Sequence, residues 1–134
     1  MQPSRIFETV LYAEDLAAAE KFYRGALGLE VIGRGELAAV FRCGGGVLIV
    51  FDPRKTVVPG REVPSHGTSG AGHIAFAAKP EDLEGWREQL RQAAIPVEGE
   101  VDWPEGGRSI YFRDPAGNVV ELAPPTIWGG GWEF

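Results

Sequence analysis

The stretch that decides the fold is Phe112-Arg113-Asp114-Pro115-Ala116-Gly117-Asn118-Val119-Val120-Glu121-Leu122. It reads as the end of one strand, a turn built on Asp-Pro and Gly, and a second apolar strand interrupted by a single carboxylate. The same pattern stands 71 residues earlier, as Phe41-Arg42 followed by Gly46-Val47-Leu48-Ile49-Val50-Phe51. Working outward, Leu16, Ala19, Tyr23, Ala26 and Leu27 form one helical stripe within 15–27. Leu83, Trp86, Leu90, Ala93 and Ala94 repeat it at a shift of 67. Asp15 is placed to cap the first helix and Gly28 to follow its end, while Pro80 suits the first turn of the second. Opening strands over 6–12 and 72–78 match at a shift of about 65. Each half then reads strand, helix, strand, strand, strand, with turns at 33–35, 44–46, 106–107 and 114–117. The chain divides into module one (about 5–52), a Pro-, Gly- and Ser-rich loop (about 53–70), module two (about 71–124) and an aromatic, Gly-rich tail (125–134). A loop of that length in a compact domain is often functional.

Composition bounds the function. The 134 residues carry 13 Lys and Arg against 19 Asp and Glu, a formal charge of −6. That balance disfavours nucleic-acid and anionic-membrane surfaces, which need clustered positive charge. The single Cys43 excludes an internal disulfide, a four-cysteine zinc site and a CxxC pair, and reads as a small apolar residue. With no apolar run long enough to span a bilayer and no signal-peptide core, the expectation is a cytoplasmic protein acting on a small molecule.

Alternation along the strands gives the candidate site. If the bulkier apolar sets pack under the helices, Glu8, His73 and Glu121 all take the opposite, concave faces. Carboxylates in apolar strands are costly without a partner. One reading is a divalent cation held by Glu8, His73 and Glu121, a mixed N/O set suited to Mn, Fe, Co, Ni or Zn with positions left for water or substrate. The other reading pairs Glu8 and Glu121 with Arg42 and Arg113, with His73 bonded to a backbone carbonyl. Glu121 or Glu8 can serve as base, and His66 in the long loop as an acid–base group or substrate ligand. Tyr12, Arg42, Ser109, Tyr111 and Arg113 are the expected substrate contacts, the arginines as clamps for a carboxylate or phosphate. Gly44-Gly45-Gly46 lacks the helix start and lysine of a phosphate cradle and reads as a strand turn. Trp128 or Trp132 of the tail is expected against a partner subunit or near the mouth of a cleft.

These residues also carry a family resemblance. Leu11-Tyr12-Ala13-Glu14-Asp15-Leu16, Phe22-Tyr23 with Leu27-Gly28-Leu29, Gly72-His73-Ile74-Ala75-Phe76, and the stretch 112–122 resemble the vicinal oxygen chelate superfamily. That superfamily includes glyoxalase I, extradiol dioxygenases, methylmalonyl-CoA epimerase and bleomycin- and fosfomycin-resistance proteins. The resemblance implies an α+β fold of two βαβββ modules forming an open, barrel-like mixed sheet around a metal-holding cleft, in a homodimer. It places the family's metal ligands on Glu8, His73 and Glu121, with Glu8 standing where His or Gln is common. The fourth ligand position of glyoxalase I falls on Val50 or Ile49, neither a donor, and the single His departs from the two of the dioxygenases. The implied function is a metal-dependent lyase or isomerase of glyoxalase type, acting on a small oxygenated metabolite through Lewis-acid stabilisation of an enediolate. The alternatives are a sequestering protein of bleomycin-resistance type and a ring-cleaving dioxygenase.

Overall fold

The computed structural model describes residues 1–131; Trp132 lies outside them. The chain divides into two compact units, 1–72 and 73–134. The first runs β1 (Glu8–Tyr12), α1 (Leu16–Gly25), β2 (Glu30–Arg34), β3 (Ala38–Cys43), β4 (Gly46–Phe51) and a short helix, α2 (Pro53–Thr56). The second runs β5 (His73–Ala77), a turn of 3₁₀ helix (Pro80–Asp82), α3 (Leu83–Gln92), β6 (Gly99–Asp102), β7 (Arg108–Arg113), β8 (Val119–Ala123) and a closing 3₁₀ turn (Pro125–Trp128). Their sheets have orders β1-β4-β3-β2 and β5-β8-β7-β6. In both, the opening strand pairs in parallel with the last while the remaining pairs are antiparallel. The α+β class and the duplicated βαβββ unit expected from the repeat are present.

Local chemistry accounts for these elements. The Asp15 carboxylate accepts the Ala18 amide hydrogen at 2.9 Å and starts α1. Past its end, Gly28 adopts φ +71° and the Leu29 amide donates back to the Tyr23 carbonyl. At the end of α3, Ala94 takes the same left-handed conformation (φ +57°) without glycine's freedom. In module one, Tyr23 of α1 lies against Phe41 of β3, ring centroids 5.5 Å apart, and Leu11, Ala39, Leu48 and Val50 complete a buried face. In module two, Leu83 and Leu90 of α3 and Ile110, Phe112, Val120 and Leu122 of the sheet are buried in the same way. The turn that opened the sequence reading is built on a buried Asp114, whose carboxylate accepts the amide hydrogens of Ala116 and Asn118 and the Asn118 side-chain amide.

Three expectations need correction. Gly33 belongs to β2, where the register with β3 shifts between Val31 and Gly33, so glycine here marks a bulge rather than a turn. The loop after β4 is not structureless at its start: Asp52 caps α2 through its carboxylate, with Pro53 at the first helical position. The repeated helical stripe runs two residues too far in module two, because α3 ends at Gln92 and leaves Ala93 and Ala94 exposed.

Candidate functional site

Strand register fixes which side chains share a face. In module two, Ala75 and Tyr111 stand opposite Glu121 from either side, and Val119 is flanked by His73 and Arg113. His73, Tyr111 and Glu121 therefore rise from three adjacent strands on the face turned away from the buried apolar set. In module one, Glu8 pairs with Val47 and Val10 with Ile49, which puts Glu8, Val10, Tyr12, Val40 and Arg42 on the corresponding face.

The module-two residues form a tight polar cluster. Glu121 is 7% exposed at its side chain, and its two oxygens have separate partners. Oε1 accepts the Tyr111 hydroxyl at 2.7 Å, and Oε2 lies 3.1 Å from Nε2 of His73. His73, half-exposed, stacks beside the Tyr111 ring at 6.4 Å between centroids. Burial, then the hydrogen bond to Glu121, pushes the Tyr111 hydroxyl up to about 12, so it stays a donor. Behind it, the Trp103 indole donates to the Ser109 hydroxyl oxygen at 2.8 Å. The Tyr111 hydroxyl donates to Glu121, which commits Oε1 and leaves Oε2 facing His73.

The donor set fits a divalent cation. Among the described residues no Lys or Arg forms an ion pair with the buried Glu121. Two ligands each about 2.1 Å from one ion, at right angles, stand about 3 Å apart, and Nε2 and Oε2 are 3.1 Å apart. The described residues contain no group of three His, Cys, Asp or Glu side chains arranged to hold a metal.

The other expected residues fall as follows. Glu8 is exposed at the start of β1, and its carboxylate makes no ion pair among the described residues. His66 folds back within module one: its Nδ1 lies 2.8 Å from the Tyr12 hydroxyl and its ring 4.9 Å from that of Phe51. Arg42 and Arg113 pair with neither Glu8 nor Glu121. They bond instead to Glu30 and Glu98, at 2.8 and 2.6 Å. Ser109, expected at the substrate, is fully buried, and its hydroxyl oxygen accepts from the Trp103 indole. Trp103 was not among the expected residues; it stands alone before a Pro-Gly turn, outside any periodic segment. Cys43 is half-buried, and burial raises its thiol. Trp128 is 78% exposed.

Residues 5–122 match the Glyoxalase/Bleomycin resistance protein/Dioxygenase superfamily, and the chain belongs to it. Among curated relatives, it is 31% identical over 109 residues to the metallothiol transferase FosB of Staphylococcus epidermidis, covering 81% of this chain and 74% of that one. It is likewise 31% identical over 116 residues to the glutathione transferase FosA of Serratia marcescens, covering 84% and 74%. Among solved structures, a lactoylglutathione lyase from Agrobacterium tumefaciens is 40% identical with a TM-score of 0.92, over 97% of this chain and all of that one. No helix among the described residues is long and apolar enough to cross a membrane.

Proposed function

We propose that this chain is a divalent-metal-dependent enzyme of glyoxalase-like type, a lyase or isomerase acting on a small oxygenated metabolite, working as a cytoplasmic homodimer. Glu8, His73 and Glu121 are its ligand set. The observation that carries the reading is the buried Glu121 carboxylate, held by a tyrosine hydroxyl and an imidazole rather than by a fixed cation. The likeness to a lactoylglutathione lyase supports the reaction class. The exposed edge strands β1 and β5 support association of two copies.

A divalent cation bound there supplies Lewis-acid stabilisation of the negative charge that develops on a substrate oxygen. The chain's own residues do the rest. Tyr111 holds Glu121 in one orientation through Oε1. Both Glu121 oxygens are engaged, so Glu121 or Glu8 has to leave the metal before it can remove hydrogen next to a carbonyl. The His66–Tyr12 pair supplies a second proton-handling group in module one. Ile49 occupies the place in β4 that Glu121 occupies in β8, so module one adds no carboxylate from that strand.

A second reading, transfer of a thiol to a small oxygenated electrophile, is favoured by the two relatives named as transferases. One experiment separates the two. Metal-loaded protein is incubated in deuterated water with small α-hydroxy carbonyl compounds, and in parallel with glutathione and an epoxide. The proposal predicts metal-dependent deuterium uptake at the carbon beside the carbonyl, lost in Glu121→Gln. Thiol consumption without such uptake supports transfer, and neither activity with any divalent metal contradicts both.

A further inference from the structure

A cavity of about 260 Å³ in module two takes no part in the ligand set. Ala75, Ala77, Pro124, Pro125, Ile127 and Trp128 line it, and none of its lining residues is charged. Its position is set by the sheet. Ala75 is the register partner of Glu121, and Ala77, about 7 Å further along β5, is the partner of Ala123. The cavity therefore opens on the same face as the Glu121 carboxylate and runs away from it toward the chain's end. Two alanine methyls keep the floor low. The far wall is the Pro125–Trp128 turn, which follows the buried Pro124.

Size and chemistry select the occupant. An apolar cavity of about 150 Å³ already accepts benzene, and pockets for whole drug-sized ligands begin near 300 Å³. This one has room for a single ring or a branched alkyl group, not for a peptide or nucleotide. A charged group placed there would find no charged side chain to pair with. We infer that the cavity receives an aryl or branched alkyl substituent of a substrate whose vicinal oxygens are held at His73 and Glu121. This rests on the metal reading given above and narrows its substrate class to compounds polar at one end and apolar at the other.

The test uses the full chain loaded with zinc and two acids with the same hydroxycarboxylate head: mandelate, carrying phenyl, and lactate, carrying methyl. Affinity is read by calorimetry, occupancy by NMR shifts of the Ala77 methyl and Trp128 indole N–H, and zinc by elemental analysis of the same samples. Mandelate is expected to bind at least tenfold more tightly and to shift both signals. Ala77→Leu, at an exposed position that tolerates a larger side chain, should remove that preference by filling the cavity, and Trp128→Ala should weaken it. Equal affinities in zinc-loaded protein overturn the inference, as does a preference that survives Ala77→Leu. If zinc does not bind yet mandelate still shifts the Ala77 and Trp128 signals, the cavity assignment stands and the metal reading falls. If neither happens, both fall.

Discussion

The two modules are copies in topology and opposites in chemistry. Both place an ionisable residue first in their opening strand, Glu8 in one and His73 in the other. Both place an arginine at the same register position, Arg42 beside Val47 and Arg113 beside Val119. They part at the pair between. Module two has Tyr111 opposite Glu121, hydrogen-bonded and mostly buried, where module one has Val40 opposite Ile49. A duplicated scaffold thus keeps its core, where changes of volume are penalised on both sides, and differentiates on the opposite face. The repeat predicts where a site can lie, and the departures from it mark module two as the half with the buried polar cluster.

The comparison can be broken first at the cores. Phe41 and Phe112 are fully buried twins, so truncating either to alanine should cost about 3–5 kcal/mol in denaturant unfolding. A loss near zero for one of them would show that the cores are not equivalent. On the other face the expectation is asymmetry. Glu121→Gln should abolish metal binding and lower turnover by more than the 10–100-fold typical of outer-shell changes, whereas Ile49→Ala should leave metal affinity intact. Equal effects would remove the distinction between the modules. One step back, Tyr111→Phe should weaken metal binding about 10-fold, measured by competition with a chromophoric chelator. If the Tyr111 hydroxyl merely fills space, folding stability will change and metal affinity will not. The smallest effect is structural. Gly28 and Ala94 hold the same left-handed backbone at the ends of their helices, so Ala94→Gly should stabilise the protein by about 1 kcal/mol, seen as a raised urea midpoint.

Much of this was legible in the sequence because it rests on periodicity. The stripe Leu16–Ala19–Tyr23, the Asp15 cap and the alternation of Val120 and Leu122 with Glu121 are local patterns that tertiary packing preserves. They put His73 and Glu121 on one sheet face without coordinates. The partners of Arg42 and Arg113 were not legible, since Glu30 and Glu98 lie at the weakly patterned, polar starts of their segments and reach the arginines only through strand pairing. The Trp103–Ser109 and Tyr111–Glu121 bonds escaped for a similar reason: a hydrogen bond between side chains leaves no period. α2 has a readable signal of its own. Asp52 before Pro53 is a cap followed by a first-turn proline, masked by the Pro- and Gly-rich run behind it.

We propose that His73 and Glu121 are two ligands of one metal ion. Calorimetric titration of Zn²⁺ into chelator-stripped protein tests it most directly, with the wild type and His73→Ala side by side. A single saturable equivalent in the wild type, lost in the variant while its far-ultraviolet circular dichroism is unchanged, is the predicted result. Absence of saturable binding in the wild type, or the same binding in His73→Ala, would contradict it.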